Sequence, residues 1–278
     1  MKHIMLIGNI DGKSVDLLRY AGKFCKDLNL KLHILQITPS NESIFISSPY
    51  YYNKSGFIFN QDDSVKKKEL EAFVNEHTKN LIDSEWVSCK LVKGNIEHAL
   101  ETFINTEKID LLLTSQALFK NNVGDNDAFK QVLLNVSESP TLIIPENQSY
   151  CRFENMAYFS IFMKKDYENL NWLTKSFPVT PINLIHFSKE PDSISNEKWI
   201  KFLKSEIEHN LISYHRKDEK LLDFIKRESN ILTPEYGCIA LTTRKRTFWQ
   251  RIFDPSTTLN LITKIESPIL IFKYKDVN

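Results

Sequence analysis

Short apolar runs alternate with stretches of helical spacing along the whole chain. The runs His3–Ile10, Lys31–Thr38 and Ile109–Thr114 predict strands, because each is short and nearly unbroken. Between the first two, apolar residues recur every three or four positions from Val15 to Leu28, which predicts an amphipathic helix. The resulting order, βαβαβαβαβ, predicts a parallel sheet with helices on both of its faces.

The second half of the chain repeats this order, most clearly in its last third. The stretch Tyr236–Lys275 repeats the pattern of Lys108–Pro145. Each has an apolar strand, a polar loop, a helical pattern, a Ser-Pro pair and a final apolar strand. Pro140 and Pro268 stand 128 positions apart, and we align the two stretches on this offset without a gap. Repetition at domain length predicts two copies of one βα fold.

We predict domains at residues 1–146 and 153–278, separated by a linker at Glu146–Arg152. The first domain carries an insertion at residues 39–63 between its second strand and second helix. Six aromatic residues in a polar segment of this length indicate that it folds onto something, and the alternative is a lid packed on its own domain. They are Phe45, Tyr50, Tyr51, Tyr52, Phe57 and Phe59.

Composition narrows the class of protein. Hydrophobic residues make up 42% of the 278 residues and charged residues 26%, and the formal net charge is +1. Such a balance exerts no overall attraction on nucleic acid or an anionic membrane. The four cysteines form no C-x-x-C pair, no stretch reaches the length of a membrane span, and the first strand follows Met1 without an apolar signal region. We expect a cytoplasmic protein with reduced thiols.

Several stretches resemble a tandem universal stress protein. They are the second strand Leu32–Ile37, the turn Val92–Ile96, the two Ser-Pro strands and the segment Thr242–Phe253. The resemblance implies an α/β fold with two tandem Rossmann-like, doubly wound domains. Each would be a five-stranded parallel sheet of order 3-2-1-4-5 with helices on both faces. It also implies an intramolecular pseudo-dimer through the fifth strands, Leu142–Ile144 and Ile269–Phe272, and allows for a homodimer.

The same resemblance implies a nucleotide signature after the fourth strand. Many members bind ATP through Gly, two residues, Gly, nine residues, Gly and then Ser or Thr, because glycines let the backbone approach the phosphates. In the second half Thr242, Lys245 and Pro255 replace the glycines, and Ser256 fills the last position. The first half has Thr114, Ala117, Asp127 and Ala128, or Ser115 and Leu118 if the alignment slides by one residue.

Carboxylates further weaken the signature. Asp254 is placed to cap the last helix, where it would compete with a phosphate for the same amide groups, and Pro255 has no amide hydrogen to offer. Asp11 matches the acidic residue that the family places after its first strand, but Lys164 stands near that place in the second half. We therefore predict no cofactor. The alternative is ATP held in the second domain by Thr242, Lys245, Arg246 and Ser256, with Asp11 as the acidic position in the first.

Other chemistry is weakly indicated. Arg244–Arg246 and Arg251, with Phe248 and Trp249, could bind nucleic acid or a phosphorylated ligand, or could form a solvated loop with its aromatic residues packed beneath. The near-zero charge favours the loop. The histidines show no metal-ligand spacing and the serines no nucleophile-elbow context, so we expect no enzyme. The sequence favours a non-catalytic stress-response protein that acts by protein contacts or small-ligand sensing, with an unidentified protein partner.

Overall fold

The described residues of the chain build a single ten-stranded sheet. The computed structural model describes residues 1–8, 10, 14–38, 63–93, 96–120, 133, 139–160, 162–188, 194–207, 211–228, 235–244 and 255–274. The strand order is β3-β2-β1-β4-β5-β10-β9-β6-β7-β8, in which each half keeps the order 3-2-1-4-5. The predicted doubly wound α/β fold is confirmed.

Within the described residues, the first half contains five parallel strands, four α-helices and a short 3-10 helix at Ser84–Trp86. Lys31–Thr38 forms a strand with the bounds that its apolar pattern predicts. The elements are β1 (His3–Ile7), α1 (Val15–Leu28), β2 (Lys31–Thr38), α2 (Asp63–Thr78), β3 (Val87–Lys93), α3 (Ile96–Glu107), β4 (Leu111–Ser115), α4 (Ala117–Lys120) and β5 (Thr141–Ile144). Of the aromatic insertion predicted at residues 39–63, residues 39–62 lie outside the described ones, and Asp63 begins α2.

The second half repeats these elements with a short segment in place of the insertion. They are β6 (Met156–Phe159), α5 (Lys164–Ser176), β7 (Ile182–Phe187), α6 (Ile194–Glu206), β8 (Ile212–Lys217), α7 (Leu221–Glu228), β9 (Cys238–Arg244), α8 (Pro255–Lys264) and β10 (Ile269–Tyr274). Strand β6 ends earlier than its apolar run, which extends to Met163. The run breaks because Phe162 adopts a left-handed conformation with a φ of 56°.

The two halves meet where β5 pairs antiparallel with β10. Ile143 lies opposite Ile269, and Thr141 lies opposite Ile271. All four residues are at most 1% exposed. Each strand therefore covers the edge of the other half's sheet, an edge that would otherwise be open to pairing with another chain.

Side-chain alternation along the strands divides the core into two layers. Leu270 and Phe272 belong to the layer under helices α1, α2, α5 and α6, which we call the α5 face. Ile269 and Ile271 belong to the layer under α3, α7 and α8, which we call the α8 face. Both faces of the sheet are thus covered, as the unbroken apolar strands predict.

The repeated Ser-Pro pairs have one structural role in both halves. Ser139 Oγ donates a hydrogen bond to the carbonyl of Ile109 at 2.7 Å, and Ser267 Oγ donates to that of Tyr236 at 2.9 Å. Each hydroxyl ties the start of the fifth strand to the segment before the fourth strand.

The ungapped alignment of the two halves is wrong by one residue. The amide of Leu112 donates to the carbonyl of Pro140, and that of Ile239 donates to the carbonyl of Pro268. The prolines lie 128 positions apart, but these fourth-strand residues lie only 127 apart. The second half therefore has one more residue than the first between its fourth strand and its Ser-Pro pair. Thr242 therefore corresponds to Ser115.

The segment between the halves packs against helix α1. Tyr150 and Arg152 both donate hydrogen bonds to the carboxylate of Asp27, with Tyr150 at 2.5 Å and Arg152 Nε at 3.0 Å. The bond from Arg152 is the main reason why the pKa of Asp27 lies below its usual value. No helix in the described ranges is long and apolar enough to cross a bilayer.

Candidate functional site

Ligands of doubly wound sheets bind beyond the carboxyl ends of the strands, where the strand order reverses. In the second half this reversal lies between β6 and β9, which pair in parallel with Tyr158 beside Ala240. Tyr158 comes near the end of β6 and Thr242 near the end of β9. The first residue of the degenerate signature therefore lies at the expected position.

Side chains of the protein itself fill this position. The hydroxyl of Tyr158 lies 3.0 Å from Thr242 Oγ1 and donates to Asp166 Oδ1 at 2.8 Å. The amide of Asn169 donates to the Tyr158 hydroxyl at 3.1 Å and to Thr242 Oγ1 at 2.8 Å. All four residues are at most 3% exposed. We call Tyr158, Asp166, Asn169 and Thr242 the buried polar cluster.

Asp166 provides the charge of this cluster. Its carboxylate is fully buried in the first turn of α5. Its Oδ2 accepts hydrogen bonds from Ser160 Oγ at 2.7 Å and from the backbone amide of Met163 at 3.1 Å. A carboxylate at a helix N-terminus is stabilised by the helix dipole. A phosphate placed here would find these donors already bonded to Asp166, and the negative charge of the carboxylate would repel it.

The cluster keeps its tyrosine protonated. Burial, followed by the nearby charge of Asp166, raises the pKa of Tyr158 well above its usual value. The hydroxyl therefore remains a donor to the carboxylate. The hydroxyls of Tyr158 and Thr242, the side-chain nitrogen of Asn169 and both oxygens of Asp166 are hydrogen-bonded, so the cluster joins β6, β9 and α5 and leaves these groups no free bond for a ligand.

An aromatic residue covers the neighbouring strand ends. The ring of Phe162 lies 4.3 Å from that of His186 on β7 and 6.3 Å from that of Tyr214 on β8. His186 Nδ1 also lies 3.3 Å from the carbonyl oxygen of Ser160. The left-handed backbone at Phe162 is unfavourable for a bulky residue, and it persists because these contacts hold the ring over the strand ends.

The first half is built differently at the corresponding position. Pairing of Ile4 with Leu111, and of Met156 with Cys238, makes Leu6 the counterpart of Tyr158. Thr114 donates to the carbonyl of Ile7 at 3.0 Å and so bridges β4 to β1. An apolar residue at position 6 cannot form the cluster of the second half.

The structure places only part of the predicted site. Thr242 is buried and bonded within the cluster, and Ser256 is the second residue of α8. Asp11, Lys245 and Arg246 lie outside the described residues, as does most of the basic segment, so their approach to a ligand stays a prediction.

Sequence reasoning missed Tyr158, Asp166 and Asn169. It searched for an acidic residue directly after β6 and found Lys164, whereas the acid comes from the first turn of the next helix. A tyrosine inside an apolar strand was the available signal, because its hydroxyl needs a partner when it is buried.

Metal and thiol chemistry have little support. Within the described parts of the chain, no three His, Cys, Asp or Glu residues cluster as metal ligands would. His33 is instead bonded to His3 and Ser88, each at 2.9 Å. The four cysteines are free thiols, and burial raises the pKa of Cys25 to about 12, which disfavours its reactive thiolate.

No protein-family model matches the sequence, and neither does any curated protein. Solved structures do match. A universal stress protein from Archaeoglobus fulgidus DSM 4304 superposes with a TM-score of 0.63 at 14% identity, covering 99% of this chain and 97% of that one. A functionally unknown protein from Pseudomonas aeruginosa PAO1 superposes with a TM-score of 0.57 at 11% identity, covering 98% and 92%. Likeness at such low identity establishes the fold of the whole chain.

Proposed function

We propose that this chain, which has the fold of a tandem universal stress protein, is a non-catalytic stress-response protein with degenerate nucleotide sites. It acts through contacts with another protein, or through sensing of a small ligand, without using ATP. The observation that carries the proposal is the buried polar cluster at the strand-order reversal of the second half.

The cluster opposes nucleotide binding in two ways. Tyr158 and Asn169 are both hydrogen-bonded to Thr242, the first position of the signature. Asp166 brings a buried negative charge to the same place. A nucleotide would have to displace satisfied hydrogen bonds and approach this charge, and both changes are unfavourable.

The absence of glycines points in the same direction. Thr242, Lys245 and Pro255 add side chains, and in the last case remove an amide, where the family signature needs close backbone approach. The alternative function remains ATP binding in the second domain, with Lys245 and Arg246 neutralising phosphates and Ser256 donating a hydrogen bond. In that case ATP would have to bind without displacing the buried polar cluster.

Nucleotide carried through purification tests the proposal. The full chain is purified without added nucleotide and denatured, and the released small molecules are separated by anion-exchange chromatography and identified by mass spectrometry. We expect no nucleotide in stoichiometric amount. Stoichiometric ATP or ADP from the parent protein, but not from the Lys245→Ala and Ser256→Ala variants, would replace the proposal with the alternative.

A further inference from the structure

One lysine has the reverse of the usual orientation. Lys273, near the end of β10, keeps partial exposure as a residue while its Nζ is buried and has no hydrogen-bond partner in the structure as described. Lysines normally bury the aliphatic stem and leave the ammonium in water. A buried ammonium without a partner is strongly unfavourable, so this orientation requires something that attracts the head group inward.

Two buried threonine hydroxyls at the same end of the sheet also lack partners. Thr141 begins β5 and is fully buried, and Thr258 lies in the first turn of α8 and is 2% exposed. Other helical threonines bond back to the preceding turn, as Thr78 does to Val74 and Thr263 to Leu259. Thr258 makes no such bond.

The strand register brings Lys273 and Thr141 to the same place. Thr141 pairs with Ile271, two residues before Lys273, in antiparallel strands. Ile143 and Ile271 both lie on the α8 face, and side chains alternate along a strand, so Thr141 and Lys273 share that face. They are diagonal neighbours at the junction of the two halves.

Helix α8 places Thr258 at the same end. Leu261, Ile262 and Ile265 belong to the α8 face, and Thr258 precedes them at helical spacing, so its side chain is directed at the sheet. Because α8 follows β9 and leads back to the start of β10, its first turn lies near the carboxyl ends of both strands. This is the end that carries Lys273.

The site is distinct from the buried polar cluster. Thr242 is bonded to residues of α5, on the opposite face of the sheet from α8. The described side chains that the register places beside Lys273 are neutral, namely Thr141 and Thr243, which pairs with Lys273 directly. The two halves also differ here, since Pro145 stands where the first half would carry a corresponding lysine.

We propose that Lys273, Thr141 and Thr258 form a binding site for a small inorganic anion at the junction of the two halves. The ammonium supplies charge and donors, the hydroxyls supply two further donors, and the N-terminus of α8 adds its positive dipole end. Lys273 Nζ is buried, so the site suits a small ion rather than a nucleotide. The site does not depend on the proposed function, because it uses the other face of the sheet.

Chloride and inorganic phosphate are suitable probes in the full chain. The protein is held near pH 6.5 in sodium gluconate, whose organic anion is larger than either probe, and gluconate is replaced by either probe at constant ionic strength. The readouts are the excess ³⁵Cl NMR line width and the thermal midpoint. Lys273→Met is compared with Lys264→Met, which removes an exposed lysine from the far end of α8.

We expect at least one probe to raise the midpoint of the parent and of Lys264→Met in a saturable way, with no such rise in Lys273→Met. Thr141→Val and Thr258→Val should each weaken the apparent affinity about tenfold, as loss of one hydrogen bond to a charged group does. Equal responses of the parent and Lys273→Met to both probes would overturn the site and leave only water around these groups. That result would not affect the proposal that the nucleotide sites are degenerate.

Discussion

The side-chain amide of Gln116 donates a hydrogen bond to the carbonyl oxygen of Ile265 at 2.9 Å. The same nitrogen lies 2.5 Å from the carbonyl oxygen of Ile262. These carbonyls belong to the last turn of α8 and to the residue after it, where helical partners run out. A residue of the first half therefore caps a helix of the second, so the halves are joined by buried polar contacts as well as by β5 and β10.

Replacing Gln116 with Met should weaken this junction. Methionine has a similar volume but no amide, so two buried carbonyls lose their donor, and the free energy of unfolding should fall by about 1–3 kcal/mol. Urea denaturation measures the change. Gln36→Met is the matched control, because Gln36 is only half-buried, and it should alter stability far less. Equal losses in the two variants would contradict the capping role.

Charges placed in the contact between β5 and β10 should be strongly destabilising. Ile143 and Ile271 are at most 1% exposed and lie on the α8 face. Lysine at both positions would bury two ammonium groups in an apolar layer, which costs several kcal/mol per charge. We expect the double variant to be unfolded or to melt far below the parent in calorimetry. Val179→Lys, at a position 65% exposed, serves as the control and should melt like the parent.

Removing the hydroxyl of Tyr158 tests whether the buried polar cluster is a structural unit. Tyr158→Phe leaves Asp166 without one donor and Asn169 without one acceptor, so stability should fall by about 1–3 kcal/mol. Adding Thr242→Val should then cost less than it does in the parent protein, because the two residues are bonded to each other. Tyr167→Phe, on the same helix as Asp166, is the control. Additive losses in the double variant would mean that the residues do not act together.

Lys273 should make stability depend on pH when no small anion is present. Burial lowers its pKa from 10.5 to about 7. Between these values the unfolded chain binds more protons than the folded one, so this residue makes stability rise with pH across the window. Its full cost, at most about 5 kcal/mol, is present below pH 7.

Lys273→Met should therefore be more stable than the parent near pH 6 in gluconate buffer, and this advantage should shrink as pH approaches 10.5. Urea denaturation of both proteins at several pH values isolates the contribution of this residue. A difference between parent and variant that stays constant with pH would show that Lys273 keeps an ordinary pKa.

The fold could be predicted from the sequence because its signals are local and repeated. Unbroken apolar strands such as Leu111–Ser115 indicate burial on both faces, and the repeated Ser-Pro pairs mark the same bond to the carbonyl before each fourth strand. The one-residue shift between Leu112 and Ile239 was missed, because both registers place apolar residues in the strand. The hydrogen bonds to Pro140 and Pro268, and those of Ser139 and Ser267, distinguish them.

From the sequence, only the loss of the nucleotide signature at the candidate site could be predicted. The missing glycines at Thr242 and Lys245 indicate a degenerate signature, but they do not reveal what replaces the ligand. Tyr158 and Thr242 lie 84 positions apart in the chain, and their contact depends on the strand pairing of β6 with β9. Burial of Asp166 is likewise a tertiary effect, since a first-turn aspartate is most often a solvated cap.

Titration calorimetry with ATP and magnesium tests the central claim most directly. The account predicts no measurable heat of binding for the full chain, because the buried polar cluster occupies the strand-order reversal and the phosphate-binding glycines are absent. Micromolar binding that is abolished by Lys245→Ala and Ser256→Ala would contradict the claim and establish the second domain as a nucleotide site. Micromolar binding unaffected by those substitutions would contradict both the claim and the predicted site residues.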